Sequence, residues 1–330
     1  MLGWIGILIA GILNGSFAFP LKTARAWRFD QIWALHSLLA MAFWPWVVVV
    51  TLVPNWLNIM SAVSLRGWLG LMAWGVLFAI GSLLYGVAID LLGIALGFAV
   101  QLGLSSVLGA LLPLLWTRAI SLRNTKDALF LGGLAVMVAG VILCAQAGGA
   151  KGGQAAARAA NFRKGLFIAL IGGILAPALN FGIQYGTSLL RPAMAAETAG
   201  FRVEAYLAWA VFLSAAAFVQ AGFCFARMTL ARTLGVYRRP GGALDALQVI
   251  AMSVLWISSI FIYGRSSSML GPIGYSLGWP VFIALIILTS NVWGIMLGEW
   301  RGVSRAAFWK MLAGSAVLIG AAFLVGQGRR

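Results

Sequence analysis

Charge is what this chain has least of. Only 23 basic and seven acidic residues occur in 330, and one histidine. Soluble domains carry charge on roughly a quarter of their residues, and a globule of this length would need it to cover its surface. A water-soluble enzyme and a disordered tail are thereby excluded. Cysteine is nearly missing too: Cys144 and Cys224 both lie inside apolar runs. Two thiols make neither a disulfide framework nor a four-ligand zinc site. With a single histidine there is no HExxH pair, and no P-loop is present, so metalloenzyme chemistry and ATP-driven pumping lack their residues.

What remains is apolar. About 205 residues, 62% of the chain, are hydrophobic, and the mean hydropathy is +0.98. A spanning helix uses roughly 20 such residues, so the supply suffices for about ten. Uninterrupted apolar stretches predict spans near 2–21, 32–53, 67–89, 91–116, 128–147, 165–189, 205–226, 246–264, 270–297 and 308–326. The first has no basic residue before its apolar core, so it reads as a span rather than a cleaved signal. The longest polar stretches (148–164, 190–204 and 227–245) are too short for an attached soluble domain.

The formal charge of +16 would suggest nucleic acid in a soluble protein. Here the basic residues fall in short clusters between apolar runs, such as Lys22, Arg25 and Arg28, as loops facing an anionic leaflet do. No nucleic-acid partner is expected, nor does any feature call for an obligate protein partner. Loops after the odd-numbered spans hold 14 of the 23 basic residues, which leans toward both termini lying outside.

The chain also resembles itself. LIAGIL (8–13) returns as LIGGIL (170–175), and YGVAIDLLG (85–93) as YGRSSSMLG (263–271). Gly133, Ala135, Val136, Leu143 and Gln146 return as Gly314, Ala316, Val317, Leu324 and Gln327. The offsets of 162, 178 and 181 rise in order along the chain. A duplicated five-helix unit explains this, and an odd number of crossings forces the second copy to enter the membrane from the opposite side. The expected fold is an all-α polytopic membrane protein of ten helices in two inverted repeats, 1–147 and 165–330, joined by a linker at 148–164. Glycine pairs at GxxxG spacing (Gly11–Gly15, Gly93–Gly97, Gly182–Gly186, Gly274–Gly278, Gly294–Gly298) mark close helix packing.

Several segments resemble a known family. FAFPLKTARAW (17–27), WPW (44–46), YGVAIDLLGIALGFAVQLGLSSVLGALLPLL (85–115) and GEWRGVSRAAF (298–308) look like the L-rhamnose–proton symporter family of the drug/metabolite transporter superfamily. The resemblance implies uptake of a 6-deoxyhexose with a proton across the bacterial inner membrane, with no cofactor. An exporter of amino acids or other metabolites on the same fold is the competing reading.

A proton-coupled carrier needs a titrating group, and ionisable residues at membrane depth are costly enough to be functional suspects. Asp90 at the junction of spans 3 and 4, Glu299 at the end of span 9 and His36 early in span 2 are the candidates. A hexose presents an apolar ring face and a rim of hydroxyls, so aromatic planes and amides should meet it. Mid-span polar candidates are Asn14, Gln101, Ser105, Asn180, Gln184 and Asn291; aromatic ones are Trp74, Trp256, Tyr263, Tyr275 and Trp279. Asn14 and Asn180 occupy corresponding depths in spans 1 and 6. Pro177, Pro272 and Pro280 are expected to interrupt spans beside these residues.

Overall fold

A computed structural model describes residues 2–17, 19, 24–92, 94–116, 124–151, 159–197, 204–238, 241–271, 274–298 and 300–327. Among these residues every regular element is helical. In chain order they are α1 (Leu2–Ser16), α2 (Phe29–Ser37), α3 (Trp44–Leu52), α4 (Trp56–Ala62), α5 (Leu65–Leu92), α6 (Ile94–Trp116) and α7 (Thr125–Lys151). There follow α8 (Ala159–Leu175), α9 (Ala178–Glu197), α10 (Glu204–Leu230), α11 (Gly242–Met269), α12 (Gly274–Met296) and α13 (Arg305–Gln327). Eight helical stretches are long and apolar enough to cross a membrane, and Leu2–Ser16 and Gly103–Leu112 are shorter apolar helices. The protein is a multi-pass membrane protein.

Several helix starts are written locally. The Ser64 hydroxyl accepts from Gly67 N–H at 3.3 Å, the Asn124 side chain from Lys126 N–H at 3.0 Å, and the Ser304 hydroxyl from Ala307 N–H at 3.3 Å. Each satisfies a donor that the first helical turn leaves open. Between α2 and α3, residues Leu38–Phe43 form a π-helical turn in which Trp44 N–H reaches back to Leu39 C=O. Pro45 follows at once and has no N–H to offer, so the wider turn absorbs the missing bond and α2 continues into α3. Pro177 acts differently. The chain leaves α8 at Leu175 and resumes as α9 at Ala178, a break inside the expected sixth span. The glycine-rich stretch 148–164 is helical at both ends, because α7 runs to Lys151 and α8 starts at Ala159.

The chain divides into two compact units, neither a continuous half of the sequence. The first comprises Met1–Gly15, Gly81–Pro177 and Ser266–Arg330; the second comprises Ser16–Ile80 and Ala178–Arg265. In the first unit α7 and α13 lie antiparallel along a seam of small residues. Gly133 faces Leu324 and Val325, Gly140 faces Leu318 and the Gly314 carbonyl, and Gly314 faces Cys144. In the same unit Gly11 and Gly15 of α1 back onto Leu285 and Thr289 of α12. In the second unit Gly182 and Gly186 of α9 back onto Phe212 and Ala208 of α10 and onto Trp74 and Leu71 of α5. Two of the glycine pairs singled out by spacing thus meet neighbouring helices. Lipid gives apolar helices no reason to associate, so close approach through small residues supplies the cohesion.

In the second unit α2 and α3 lie antiparallel to α10, and polar side chains tie them. Trp33 Nε1 donates to Gln220 Oε1 at 3.0 Å, the Ser37 hydroxyl donates to the same oxygen at 3.2 Å, and Trp46 Nε1 donates to Ser214 Oγ at 2.9 Å. At the end of this pair, Arg227 Nε lies 3.5 Å from Asp30 Oδ2.

Candidate functional site

The second unit gathers the most chemistry. On α11 the residues Ser253, Trp256, Ile260 and Tyr263 follow helical spacing and are all buried. The stripe is about 15 Å long at 1.5 Å per residue. At one end Ser253 Oγ lies 3.3 Å from His36 Nδ1 of α2. The hydroxyl also donates to the Val249 carbonyl at 2.7 Å, which leaves its oxygen free to accept from the imidazole. The His36 ring is only 1% exposed. Phe17 stacks on it at 5.7 Å between centroids, Trp33 tilts over it at 5.4 Å, and Trp256 meets it edge-on at 6.1 Å. The expected proton-coupling histidine therefore sits in an aromatic cage with one hydroxyl partner. It lies two residues before the π-helical turn, the irregular segment of this helix.

At the other end of the stripe Tyr263 donates its phenol to Asn180 Oδ1 at 2.7 Å, and both residues are fully buried. Asn180 is at the start of α9, three residues after Pro177 at the break. A buried amide without partners costs several kcal/mol, so this hydrogen bond anchors the first turn of α9 to α11. Trp74 tilts against Phe181 of the same turn at 5.8 Å. Gln184, one turn on, is half-buried.

The first unit carries a second group. Gln101 of α6 is 3% exposed; its Nε2 donates to the Gly81 carbonyl of α5 at 3.1 Å. Its Oε1 has no hydrogen-bond partner among the described residues. The amide lies against Gly172 of α8, where a methyl group would come within 2.9 Å of it. Trp279 Nε1 of α12 donates to the Ser105 carbonyl at 3.1 Å, and the indole lies flush with Gly109. Asn14 and Tyr275 are buried in this unit as well. Asn291 is engaged between helices: its Nδ2 reaches Ser315 Oγ at 3.3 Å and Cys144 Sγ at 3.7 Å.

The eleven residues expected to meet a sugar therefore divide between the two units. Asn14, Gln101, Ser105, Tyr275, Trp279 and Asn291 belong to the first, and Trp74, Asn180, Gln184, Trp256 and Tyr263 to the second. Of the proton-coupling candidates, Glu299 lies outside the described residues. The backbone of Asp90 falls in the last turn of α5, which runs on to Leu92 instead of turning there, and its side chain also lies outside them.

Sequence reasoning missed three participants. Gln220 accepts two hydrogen bonds beside the histidine while its own Nε2 has no partner among the described residues. Asp245, in the first turn of α11, is 1% exposed; it accepts from the backbone N–H groups of Arg25, Ala26 and Trp27 at 3.0, 2.7 and 2.7 Å. It clamps the chain ahead of α2 to α11. Tyr237, in the 3₁₀ turn Leu234–Arg238, donates to the Gln31 carbonyl at 2.9 Å. Burial first, then Cys224 and Asp30, push its pKa up to about 12, so the phenol remains a donor at any physiological pH. Position in a polar loop was the only sequence signal for Asp245; its partners lie about 220 residues away.

Comparison with known proteins bears on the chemistry. The family model described as L-rhamnose-proton symport protein (RhaT) matches residues 1–330. The L-rhamnose-proton symporter of Escherichia coli O1:K1 / APEC is 25% identical over 331 residues, covering 97% of this chain and 96% of its own length. The symporter of the same name from Cronobacter sakazakii (strain ATCC BAA-894) is 25% identical over 337 residues, 99% of this chain and 97% of its own. That of Citrobacter koseri (strain ATCC BAA-895 / CDC 4225-83 / SGSC4696) is 24% identical over 332 residues, with 97 and 96% covered.

Proposed function

The chain belongs to the L-rhamnose-proton symport family, a family of transporters and not of enzymes, and from that premise we propose that it imports L-rhamnose or a closely related deoxy sugar with a proton across the bacterial inner membrane. The family match over residues 1–330 carries the reading. One charge moving through 100 mV is worth about 2.3 kcal/mol, roughly fifty-fold of accumulation, which is an adequate drive.

The chain crosses ten times, in two inverted five-helix repeats (1–147 and 165–330), as in the drug/metabolite transporter superfamily. Two observations support this. Asp30 at the start of α2 meets Arg227 near the end of α10, so an even number of crossings separates them. Five helices in that interval are long and apolar enough (Phe29–Leu52, Leu65–Tyr85, Thr125–Ala147, Arg163–Met194 and Ala205–Leu230), so α6 supplies the sixth. With α1 the total is ten. The other support is in the α7–α13 seam. The repeat offset of 181 carries Gly133 to Gly314 and Cys144 to Val325. Gly133 faces Val325 and Gly314 faces Cys144, so the two contacts exchange as a local twofold axis would require. Such repeats allow alternating access by exchange of conformations between halves.

Within the second unit Asn180 meets the sugar's hydroxyls and Trp256 its ring face. His36 carries the proton, with Asp90 and Glu299 as companion candidates. In proteoliposomes, labelled rhamnose should enter by counterflow, and rhamnose addition should alkalinise the medium. His36→Gln should keep counterflow, which needs no net proton movement, and lose accumulation driven by a pH gradient. Absence of saturable rhamnose exchange at any pH overturns the transport reading. Full gradient-driven accumulation in His36→Gln moves the proton elsewhere.

A further inference from the structure

One end of the second unit combines bare positive charge with bare apolar surface. The segment ahead of α2, the 3₁₀ turn and the start of α11 are knit there by the Asp245 clamp, the Tyr237–Gln31 hydrogen bond and the Trp27–Tyr237 edge contact at 5.1 Å. Arg25, Arg28, Arg227, Arg232 and Arg238 all stand exposed around this knot. The two described acids nearby do little to offset them. Asp245 is consumed by three backbone donors, and Asp30 is matched with Arg227. Large hydrophobic side chains also face outward at this end: Leu230, the last residue of α10, is 86% exposed, and Leu244 and Leu247, in the first two turns of α11, are 55 and 62% exposed. Arg227 itself lies 5.7 Å over the Phe223 ring.

We infer that this end of the second unit is a binding site for anionic phospholipid, with phosphate at the arginines and acyl chains along Leu230, Leu244 and Leu247. Guanidinium groups match phosphate oxygens in pairs. Leu244 and Leu247 lie in the first two turns of α11, and Leu230 closes α10, so all three sit at helix ends where headgroup gives way to hydrocarbon. A free phosphate would use the arginines and make no contact with the leucines. The knot holds the arginines on a fixed scaffold, so little ordering entropy opposes binding. The inference rests only on the helices crossing a bilayer and stands apart from the sugar carried. It orients the molecule as well: anionic lipid is the cytoplasmic leaflet's, so this end faces the cytoplasm.

The test uses the purified full chain. Cardiolipin, phosphatidylglycerol and phosphatidylcholine compete for it in detergent, with bound lipid counted by native mass spectrometry. The wild type should retain the two anionic lipids over phosphatidylcholine. Arg25→Gln, Arg28→Gln, Arg232→Gln and Arg238→Gln should each weaken anionic lipid by about five-fold, the worth of one basic residue at an anionic surface. The corresponding lysine substitutions should keep most of it, which separates lost charge from lost fold. Arg191→Gln, Arg301→Gln and Arg305→Gln remove equal charge elsewhere and should leave binding unchanged. Equal loss in those three reduces the effect to net charge and overturns the site. Displacement of the lipid by millimolar inorganic phosphate overturns it too, since the acyl chains would then contribute nothing.

Discussion

Two antiparallel helix pairs in this protein solve the same packing problem with opposite chemistry. In the first unit α7 meets α13 through glycines, with Gly133, Gly140 and Gly314 letting backbone approach backbone. In the second unit α2 and α3 meet α10 through hydrogen bonds from Trp33, Ser37 and Trp46 and an ion pair at the end. A glycine seam gains dispersion energy over a large contact area and leaves no room to slide. A hydrogen-bonded seam depends on a few directional contacts and can exchange them for water or a ligand. The histidine cage is built on the second kind. That difference assigns rigidity to α7–α13 and responsiveness to α2–α10.

The largest effect should come from filling the glycine seam. A side chain at Gly314 would bring a methyl group to 2.7 Å from Cys144 Sγ, 2.8 Å from Cys144 N and 3.0 Å from Gly140 O. Two of these are backbone atoms and cannot rotate away. Gly314→Val should destabilise the protein by about 3 kcal/mol, read as a fall in the unfolding midpoint in detergent. Gly320, on the same helix with nothing within 4 Å, is the control, and Gly320→Ala should hold or slightly raise stability. Equal sensitivity at both positions would mean that helix propensity, and not the seam, governs the response.

Gly133 and Gly314 were legible in the sequence because they recur 181 residues apart within a matched pattern, and because small residues in lipid have few other uses. The helices were legible for a similar reason: apolar length is a local property. Elements that depend on partners far along the chain were not. Gln220 looked like a stray amide in an otherwise apolar span, and nothing local pointed to Trp33 and Ser37 more than 180 residues earlier. The two prolines separate the cases neatly. Pro177 breaks its helix where the spacing puts a break, whereas Pro45 is carried by a π-helical turn that depends on how Leu38–Phe43 winds. The candidate sugar residues were chosen by type and depth. Their division between the two units reflects contacts that no spacing rule encodes.

A smaller effect should follow at the polar seam. Gln220→Leu leaves Trp33 Nε1 without its acceptor, while Ser37 keeps its hydrogen bond to the Trp33 carbonyl at 2.8 Å. One buried donor is then unsatisfied, a cost of about 1–2 kcal/mol. Trp33 also covers His36, so gradient-driven rhamnose accumulation should fall several-fold while counterflow changes little. In the double variant with Trp33→Phe, much of the stability cost should return, because the orphaned donor is gone. Strict additivity of the two substitutions would show that the amide and the indole do not act together, and the assignment of responsiveness to this pair would fail.

The smallest effect is reserved for Asn291, a polar side chain beside the first unit's glycine seam. Its amide lies beside the α7–α13 pair and reaches Ser315 and Cys144 only at 3.3 and 3.7 Å, long distances for a hydrogen bond that matters. Interhelical hydrogen bonds in membranes average about 0.6 kcal/mol, and a stretched one contributes less. Asn291→Leu should therefore shift stability by no more than about 0.6 kcal/mol and leave the rhamnose KM unchanged. Asn180→Leu is the matching change in the second unit. It removes the 2.7 Å acceptor of a fully buried phenol and should raise KM about ten-fold. Were the two variants to trade places, with KM rising at Asn291 and not at Asn180, the sugar would be held by the first unit's amides. The polar stripe on α11 would then serve only to pin the start of α9.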